Sequence, residues 1–216
     1  MQHRCIGYKL GRFQPFSLTM PVRDALATPQ LTPRLWLRAP RESDLDTVYA
    51  LHADPVCSRF TPGGPMRSRS AAAELLQGWL AHWQAHGFGC WAIALRERPE
   101  LVLGFGGLMR HNSLGDAPGL ELYFRFSPES WGQGYASEMA QSALELAFDG
   151  LQAEAVQAVV QPANTPSRKT LERLGLLLKG SQADVPGQAP SLLYEITAAL
   201  WASRPRTPPE PTPFGA

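Results

Sequence analysis

A glycine-rich turn enters a helix in the stretch SPESWGQGYASEMAQSALELAF, residues 127–148. Gly132 and Gly134 stand between a Trp and a Tyr, and an Ala-rich helical pattern follows without a break. A turn of this kind leaves several backbone N–H groups without partners at the positive end of the helix dipole. Backbone N–H groups in that position bind phosphate. The turn therefore predicts a ligand that carries phosphate.

Three phosphate-binding motifs contain a glycine turn, and the neighbouring residues distinguish them. A Walker loop requires Lys and then Ser or Thr after its last Gly, whereas Tyr and Ala follow Gly134. A dinucleotide motif is approximated by Gly132, Gly134 and Ser137, with Glu154 as the ribose ligand. However, the turn follows strands with an antiparallel pattern, and too few residues remain to complete a doubly wound sheet. The third hypothesis is a pyrophosphate bound by successive N–H groups of residues 132–137, with a pantetheine arm along the preceding strand.

The elements before the turn follow from hydrophobic periodicity and from capping residues. PRLWLRAP alternates as a strand does, and Ser43 is the predicted N-cap of the next helix. Ser68 or Ser70 caps a second helix, which Gly87 ends. Three apolar or alternating runs then predict consecutive antiparallel strands: CWAIALRE, LVLGFGGLM and GLELYFRF.

The elements after the turn complete the predicted domain. AEAVQAVVQ predicts a strand, and a capped helix is predicted from Asn164 to Leu174, where Gly175 ends it. Two last strands are predicted near residues 176–181 and 191–198. The predicted order is β-α-α-β-β-β-α-β-α-β-β, which describes a mixed α/β domain with one strand-helix-strand crossover.

Two motifs in this order resemble the cofactor motifs of the GNAT superfamily of N-acetyltransferases: WGQGYASE, then a helix and a strand, then NTPSRKTLERLG. The pattern is most similar to the Rim-type branch, which acetylates protein N-termini, and to relatives that modify small amines. TPRLWLRAPRESDLDTVYALHADP, HGFGCWAIALRE and VLGFGGL extend the resemblance over roughly residues 31–200. The resemblance implies the GNAT fold, with a mixed central sheet, an antiparallel meander and a β-α-β crossover, flanked by helices. It also implies acetyl transfer from acetyl-CoA to a primary amine in a ternary complex.

The resemblance implies a set of cofactor-binding residues. In the family the backbone of the strand before the turn pairs with pantetheine, the turn and first helical residues bind the pyrophosphate, and an Asn opens the next helix near the pantetheine. Trp131 stands where the family most often has Arg or Gln, although Trp is usual in the Rim-type branch. The implied residues here are Phe124, Phe126, Trp131, Gly132, Gln133, Gly134, Tyr135, Ala136, Ser137, Asn164 and Ser167.

Acyl transfer from a thioester to an amine requires a base, a donor for the oxyanion and a proton for the leaving thiolate. Glu121 in GLELYFRF is the candidate base, because similar proteins carry an acidic residue that faces the acceptor on this strand. A backbone N–H where the strand splays from its neighbour would bind the oxyanion. Leu171 stands where many family members have an acidic Tyr, so water, Tyr123, Ser167 and Tyr194 remain candidates for the acid.

Composition excludes several other classes of function. The 216 residues carry a net charge of +1, which gives no general attraction to nucleic acid or to an anionic membrane. His82 and His86 lie one helical turn apart but have no third partner, so we expect no metal site. Cys90 opens an apolar strand and is predicted to be a buried, inert thiol. Trp79 and Trp83 are predicted to pack in the core rather than to bind a ligand.

These patterns predict a cytoplasmic protein in three parts, because no apolar run approaches a membrane span and the three cysteines form no motif. Residues 1–30 are expected to form a loose arm, residues 31–203 the acetyltransferase domain, and residues 204–216 a disordered Pro-rich tail. Homodimerisation is left open. So are the amine acceptor, a larger acyl donor, and a catalytically silent protein that binds acyl-CoA as a sensor or scaffold.

Overall fold

One eight-stranded mixed sheet organises the chain in the computed structural model, which describes residues 29–111, 119–183 and 189–204. The strands lie in the order β1-β2-β3-β4-β5-β6-β8-β7, and every neighbouring pair is antiparallel except β5 with β6. Their bounds are β1 Gln30–Leu31, β2 Leu35–Arg38, β3 Cys90–Leu95, β4 Arg98–His111, β5 Gly119–Phe126, β6 Ala155–Val160, β7 Leu177–Gln182 and β8 Ser191–Thr197.

Six α-helices accompany the sheet in the described ranges, and most begin and end at residues suited to capping. The bounds are α1 Leu45–Ala53, α2 Pro55–Ser58, α3 Arg69–His86, α4 Tyr135–Glu145, α5 Thr165–Arg173 and α6 Ala198–Ala202. The Ser68 hydroxyl accepts the Ala71 N–H at the start of α3, and Gly87 ends this helix with a left-handed φ of 74°. A π-helical turn, Leu146–Gly150, extends α4.

Helices cover both faces of the sheet, and each face has its own core. On one face α4 packs Met139, Ala140 and Leu144 against β2, β3 and β5. On the other face α1 and α3 pack against β3 and β4, with Trp79 and Phe105 at the centre. Strand β3 is buried along nearly its whole length because it lies between these two layers.

The predicted mixed sheet, antiparallel meander and β5-α4-β6 crossover are confirmed. The predicted Ser43 cap is wrong, because Ser43 lies inside a 3-10 turn, Glu42–Asp44, that precedes α1. Asp44 closes that turn by accepting the Arg41 N–H at 2.7 Å. The sequence also did not predict β1, α2 or α6, which are only two, four and five residues long.

Parts of the three predicted regions lie outside the described residues. Residues 1–28 of the predicted arm and residues 205–216 of the predicted tail are among them, as are residues 184–188 in the segment between β7 and β8. The three-part division of the chain therefore stays a prediction.

Candidate active site

The glycine turn adopts a backbone that favours glycine at two positions. Gly132 and Gly134 have φ angles of +75° and +80°, and Gly134 is the N-cap of α4. The first helical hydrogen bond runs from the Glu138 N–H to the Gly134 carbonyl at 3.1 Å. The N–H groups of residues 135–137 therefore have no acceptor within the helix. A Cβ at Gly132 would meet no atom within 4 Å, so space is open beside the turn.

Predicted cofactor residues occupy this turn and the helix that it opens. Trp131, Gly132, Gln133 and Gly134 connect the 3-10 turn Pro128–Ser130 to α4, and Tyr135, Ala136 and Ser137 form the first turn of the helix. The structure thus brings seven of the predicted residues together at one helix N-terminus.

A polar brace that the sequence did not predict fixes the turn to the segment before β2. Arg34 donates from Nε to Glu138 Oε2 at 2.7 Å and from Nη1 to the Gln133 carbonyl at 2.9 Å. Thr32 also donates its hydroxyl to Glu138. Burial alone would raise the pKa of Glu138, but the hydrogen bonds from Thr32 and Arg34 outweigh it and lower the pKa. These contacts join residues about one hundred positions apart, so spacing in the sequence gives no signal for them.

Strand β5 separates from β6 immediately before the turn. In the described part of the chain, β6 pairs with β5 at Leu120 and Glu121 and at no later residue of the strand. The Ser127 N–H bonds to the Leu103 carbonyl, so even-numbered residues of β5 direct their N–H and C=O groups away from β4. The backbone groups of Leu122, Phe124 and Phe126 therefore point into the gap beside β6.

The gap contains the two predicted strand residues, but they are not equivalent. The Phe126 carbonyl accepts the Trp131 indole N–H at 2.9 Å, so this carbonyl already has a partner. No such bond engages the Phe124 backbone on this side among the described residues. Phe124 therefore offers the more accessible backbone for an extended ligand, and Phe126 retains its N–H.

Glu121 lies on the opposite face of β5 from Phe124, because side chains alternate along a strand. It shares this face with Tyr123 and Arg125, which point towards the α1 and α2 layer. Glu121 is partly buried and pairs in register with Met109 on β4 and Gln157 on β6. The predicted base thus lies at the last point of contact between β5 and β6.

A chain of hydrogen bonds crosses this face beside Glu121. Arg125 Nε lies 3.2 Å from the Tyr123 hydroxyl, which lies 3.0 Å from His52 Nε2. His52 Nδ1 lies 2.7 Å from the Val48 carbonyl and must donate to it, so Nε2 accepts the Tyr123 proton. Burial and the nearby Arg125 charge lower the pKa of His52 to about 4, whereas burial raises the pKa of Tyr123. The Tyr123 proton is therefore held by a neutral imidazole.

The second predicted motif opens α5. The Asn164 side-chain oxygen accepts the Ser167 N–H at 3.3 Å, which makes Asn164 the N-cap of this helix. Leu171 is 2 % exposed and packs in the core. The Tyr194 hydroxyl donates to Glu172 at 2.7 Å and accepts from Arg168. Of these four positions, only Ser167 carries a hydroxyl that is not engaged by a charged neighbour in the described structure.

Comparison with known proteins identifies the family. The sequence model described as "Acetyltransferase (GNAT) domain" matches residues 34–177, well over half of the chain. The chain belongs to the GNAT acetyltransferase family. It is accordingly a transferase, and GNAT-type acetyltransferase activity is its established class of reaction.

Individual GNAT relatives agree with this assignment. The uncharacterized N-acetyltransferase p20 of Bacillus licheniformis is 29% identical over 71% of this chain and 84% of its own length. An acetyltransferase from Agrobacterium tumefaciens has a TM-score of 0.66 and 26% identity, over 86% of this chain and 99% of that one. The spermidine N-acetyltransferase of Vibrio cholerae, solved with CoA and spermine, has a TM-score of 0.65 over 79% of this chain and 99% of that one. Its 18% identity shows the shared GNAT fold alone.

Two cavities lie near the GNAT turn. A groove of about 1010 Å³ separates α1 from β2 and β4, and a smaller cavity of about 280 Å³ is lined in part by Gln133 and Tyr135 of the turn. Glu121 lines neither of them. Cavity volume in the described structure therefore does not locate the reacting end of the site.

The histidine and cysteine residues have structural surroundings. His82 Nδ1 bonds to the Phe88 carbonyl at 2.8 Å, and its Nε2 accepts the Arg110 N–H at 2.9 Å, so neither nitrogen is available to a metal. No group of three or more His, Cys, Asp or Glu side chains in the described ranges could hold a metal ion. Cys90 is buried, and burial raises the pKa of its thiol well above the usual value, as expected for an inert cysteine.

The tryptophans on α3 pack as the sequence predicts. Trp79 is 1 % exposed and lies against Phe105 and Tyr123, and the Trp83 indole donates to the Cys90 carbonyl at 2.8 Å. As for the membrane, none of the helices in the described residues has the length and apolar character needed to cross one.

Proposed function

We propose that this GNAT protein transfers the acetyl group of acetyl-CoA directly to a primary amine in a ternary complex. The observation that carries the proposal is the junction of β5 and α4. There a strand leaves its neighbour and offers open backbone groups, and two left-handed glycines then open a helix N-terminus. Family membership and the CoA bound to the Vibrio cholerae relative support this assignment.

The residues at this junction fit the cofactor. We assign the pyrophosphate to the N–H groups of the turn and of residues 135–137, with no side chain at Gly132 or Gly134 to block approach. The pantetheine amides would pair with the β5 backbone at Phe124 and with the Phe126 N–H. Oδ1 of Asn164 is used in the α5 cap, so a contact of this side chain with pantetheine would involve its NH₂ group. When bound, acetyl-CoA supplies an activated acyl group.

Glu121 is assigned as the base that accepts a proton from the acceptor nitrogen. An amine reaches neutral pH largely protonated, because an α-amino group has a reference pKa of about 8 and lysine one of about 10.4. Glu121 lies where β5 and β6 part, next to the backbone groups of Leu122 that point into the gap. The Leu122 or Phe124 N–H would then donate to the oxygen on which negative charge develops.

The surroundings of the candidate acids favour water or Ser167 as the proton source for the leaving thiolate. The Tyr123 proton is bonded to His52 and the Tyr194 proton to Glu172. Leu171 has no proton to give and is buried. A thiolate is a comparatively weak base, so a positioned general acid is not essential for its departure.

The Rim-type pattern of the sequence favours a protein N-terminus as acceptor, with small polyamine-like amines as the second candidate. The first candidate rests on the motifs, and the second rests on the spermidine enzyme among the structural neighbours. The acceptor-side helices α1 to α3 differ too much in sequence from these relatives to decide between them.

A binding titration followed by turnover with an amine panel tests the proposal. The protein should bind acetyl-CoA and CoA but not NAD or ATP, and it should acetylate at least one N-terminal peptide or small amine. Absence of CoA binding would overturn the cofactor assignment. CoA binding without turnover on any acceptor would instead favour the silent sensor or scaffold. A preference for propionyl-CoA or a longer acyl-CoA would change the donor and leave the site assignment in place.

A further inference from the structure

The segment that joins α2 to α3 is fastened to the cofactor strand by one arginine. Arg125 of β5 donates from Nη1 to the Cys57 carbonyl at 3.1 Å and to the Ser58 hydroxyl at 3.0 Å. Its Nη2 donates to the Thr61 hydroxyl at 2.8 Å. These bonds hold residues 57–61 against the end of β5, so this part of the connection has a fixed position.

Arg59, in the middle of the fastened segment, lies over the first residue of the glycine turn. Its guanidinium carbon is 4.9 Å from the ring centroid of Trp131 and 4.7 Å from that of Phe60. Trp131 is itself fixed by the bond from its indole N–H to the Phe126 carbonyl. The stacking positions the cation beside the turn and leaves the edges of the guanidinium, which carry its N–H donors, able to bind an anion.

The charge of Arg59 differs from that of the other arginine at the turn. Arg34 is compensated by the Glu138 carboxylate, which lies 2.6 Å from its Nη2. Arg59 is exposed, and no carboxylate among the described residues forms an ion pair with it. The guanidinium is therefore an uncompensated cation at the edge of a turn whose backbone N–H groups also attract negative charge.

We propose that Arg59 binds a phosphate group of the CoA ligand, so that the segment between α2 and α3 contributes directly to cofactor binding. The inference rests on the proposed function, because it requires CoA at the glycine turn. Two phosphates of CoA have the same chemistry for a guanidinium, the pyrophosphate and the 3′-phosphate. Arg125 is then a positioning residue, since it fixes the segment that presents Arg59.

The test is calorimetric titration of wild type, Arg59→Met and Arg59→Lys with CoA and with 3′-dephospho-CoA. Loss of a charge-assisted hydrogen bond should weaken CoA binding of Arg59→Met about tenfold or more, and Arg59→Lys should lie between it and the wild type. The dependence of CoA affinity on salt should also be smaller for Arg59→Met. Arg69→Met is the matched control, because it removes an arginine that is bound to Asp46 on α1.

The two ligands identify the phosphate that Arg59 contacts. If Arg59 binds the 3′-phosphate, the effect of Arg59→Met disappears with 3′-dephospho-CoA; if it binds the pyrophosphate, the effect remains. Wild-type CoA binding with an Arg59→Met affinity within about twofold of it would overturn this inference alone. No binding of CoA to the wild type would overturn the proposed function as well. Thermal unfolding of each variant confirms that the fold is retained.

Discussion

Gly134 combines two properties that a side chain would remove. Its φ of +80° is strained for any residue with a Cβ, and a Cβ there would lie 3.4 Å from Arg34 Nη2, in the brace that fixes the turn. The same backbone directs the first N–H groups of α4 towards open space. Replacement of Gly134 therefore disturbs both the turn and the groups assigned to the pyrophosphate.

Gly134→Val is expected to weaken acetyl-CoA binding by at least about tenfold, because the turn must move to accept the β-branched side chain. Isothermal titration measures the effect directly. Gly64→Val is the matched control, since Gly64 has a φ of +78° and no atom within 4 Å of an added Cβ, but lies between α2 and α3. Equal affinities of Gly134→Val and the control would contradict the assignment of the turn.

Glu121→Gln should lower turnover while acetyl-CoA affinity stays nearly unchanged. The amide preserves shape and partial burial but cannot accept a proton from the amine, so the acid limb of the rate against pH should change. Steady-state kinetics over a pH series, with a parallel cofactor titration, separates the two effects. Glu145→Gln on the exposed side of α4 provides the control for loss of a carboxylate. A wild-type rate and pH profile would remove Glu121 from the mechanism.

At the scale of elements, a buried ion pair joins β2 to the start of α1. Arg38 and Asp44 form two parallel hydrogen bonds of 2.8 and 2.7 Å, with side chains only 9% and 6% exposed. Asp44 also closes the 3-10 turn through the Arg41 N–H. The pair sets where α1 begins, and α1 carries His52, which receives the Tyr123 proton beside Glu121.

Arg38→Met should lower the free energy of unfolding by about 3–5 kcal/mol, because the Asp44 carboxylate would remain buried without its partner. Adding Asp44→Asn removes the buried charge and keeps an acceptor for the Arg41 N–H. The double variant should therefore recover a large part of the loss. Urea denaturation of both variants measures the difference, and a single variant as stable as the wild type would show that solvent reaches this pair.

Regular elements with local signals were predictable from the sequence. The Ser68 and Asn164 caps, the glycines that end α3 and follow α5, and the alternation in β6 each depend on a few neighbouring residues. The 3-10 turn at Ser43 was missed because Asp44 is recruited by Arg38 on the preceding strand. The braces formed by Arg34 and Arg125, like the stacking of Arg59, join distant parts of the chain. Such contacts depend on the folded sheet, and nothing in local residue spacing indicates them.

For the molecule as a whole, two buried histidines connect the α1 and α3 layer to the sheet. His52 joins α1 to β5 through Tyr123, and His82 joins α3 to the backbone of β4. Both are neutral in the fold, since burial lowers their pKa values to about 4. Protonation of either would place an unpaired charge in the core that packs behind Glu121 and would break an acceptor contact at Nε2.

The free energy of unfolding should therefore decrease as the pH falls from about 6.5 to about 4. Each unfolded histidine binds a proton near its reference pKa of 6.5, whereas the folded protein resists protonation until about pH 4, so acid favours the unfolded state. The difference corresponds to on the order of 3 kcal/mol for each residue at the acid end of this range. Urea denaturation across the range, followed by Trp fluorescence, measures it. His82→Gln should lower stability near neutral pH but show a shallower decline in acid, and an equally steep decline would mean that His82 is not one of the groups responsible.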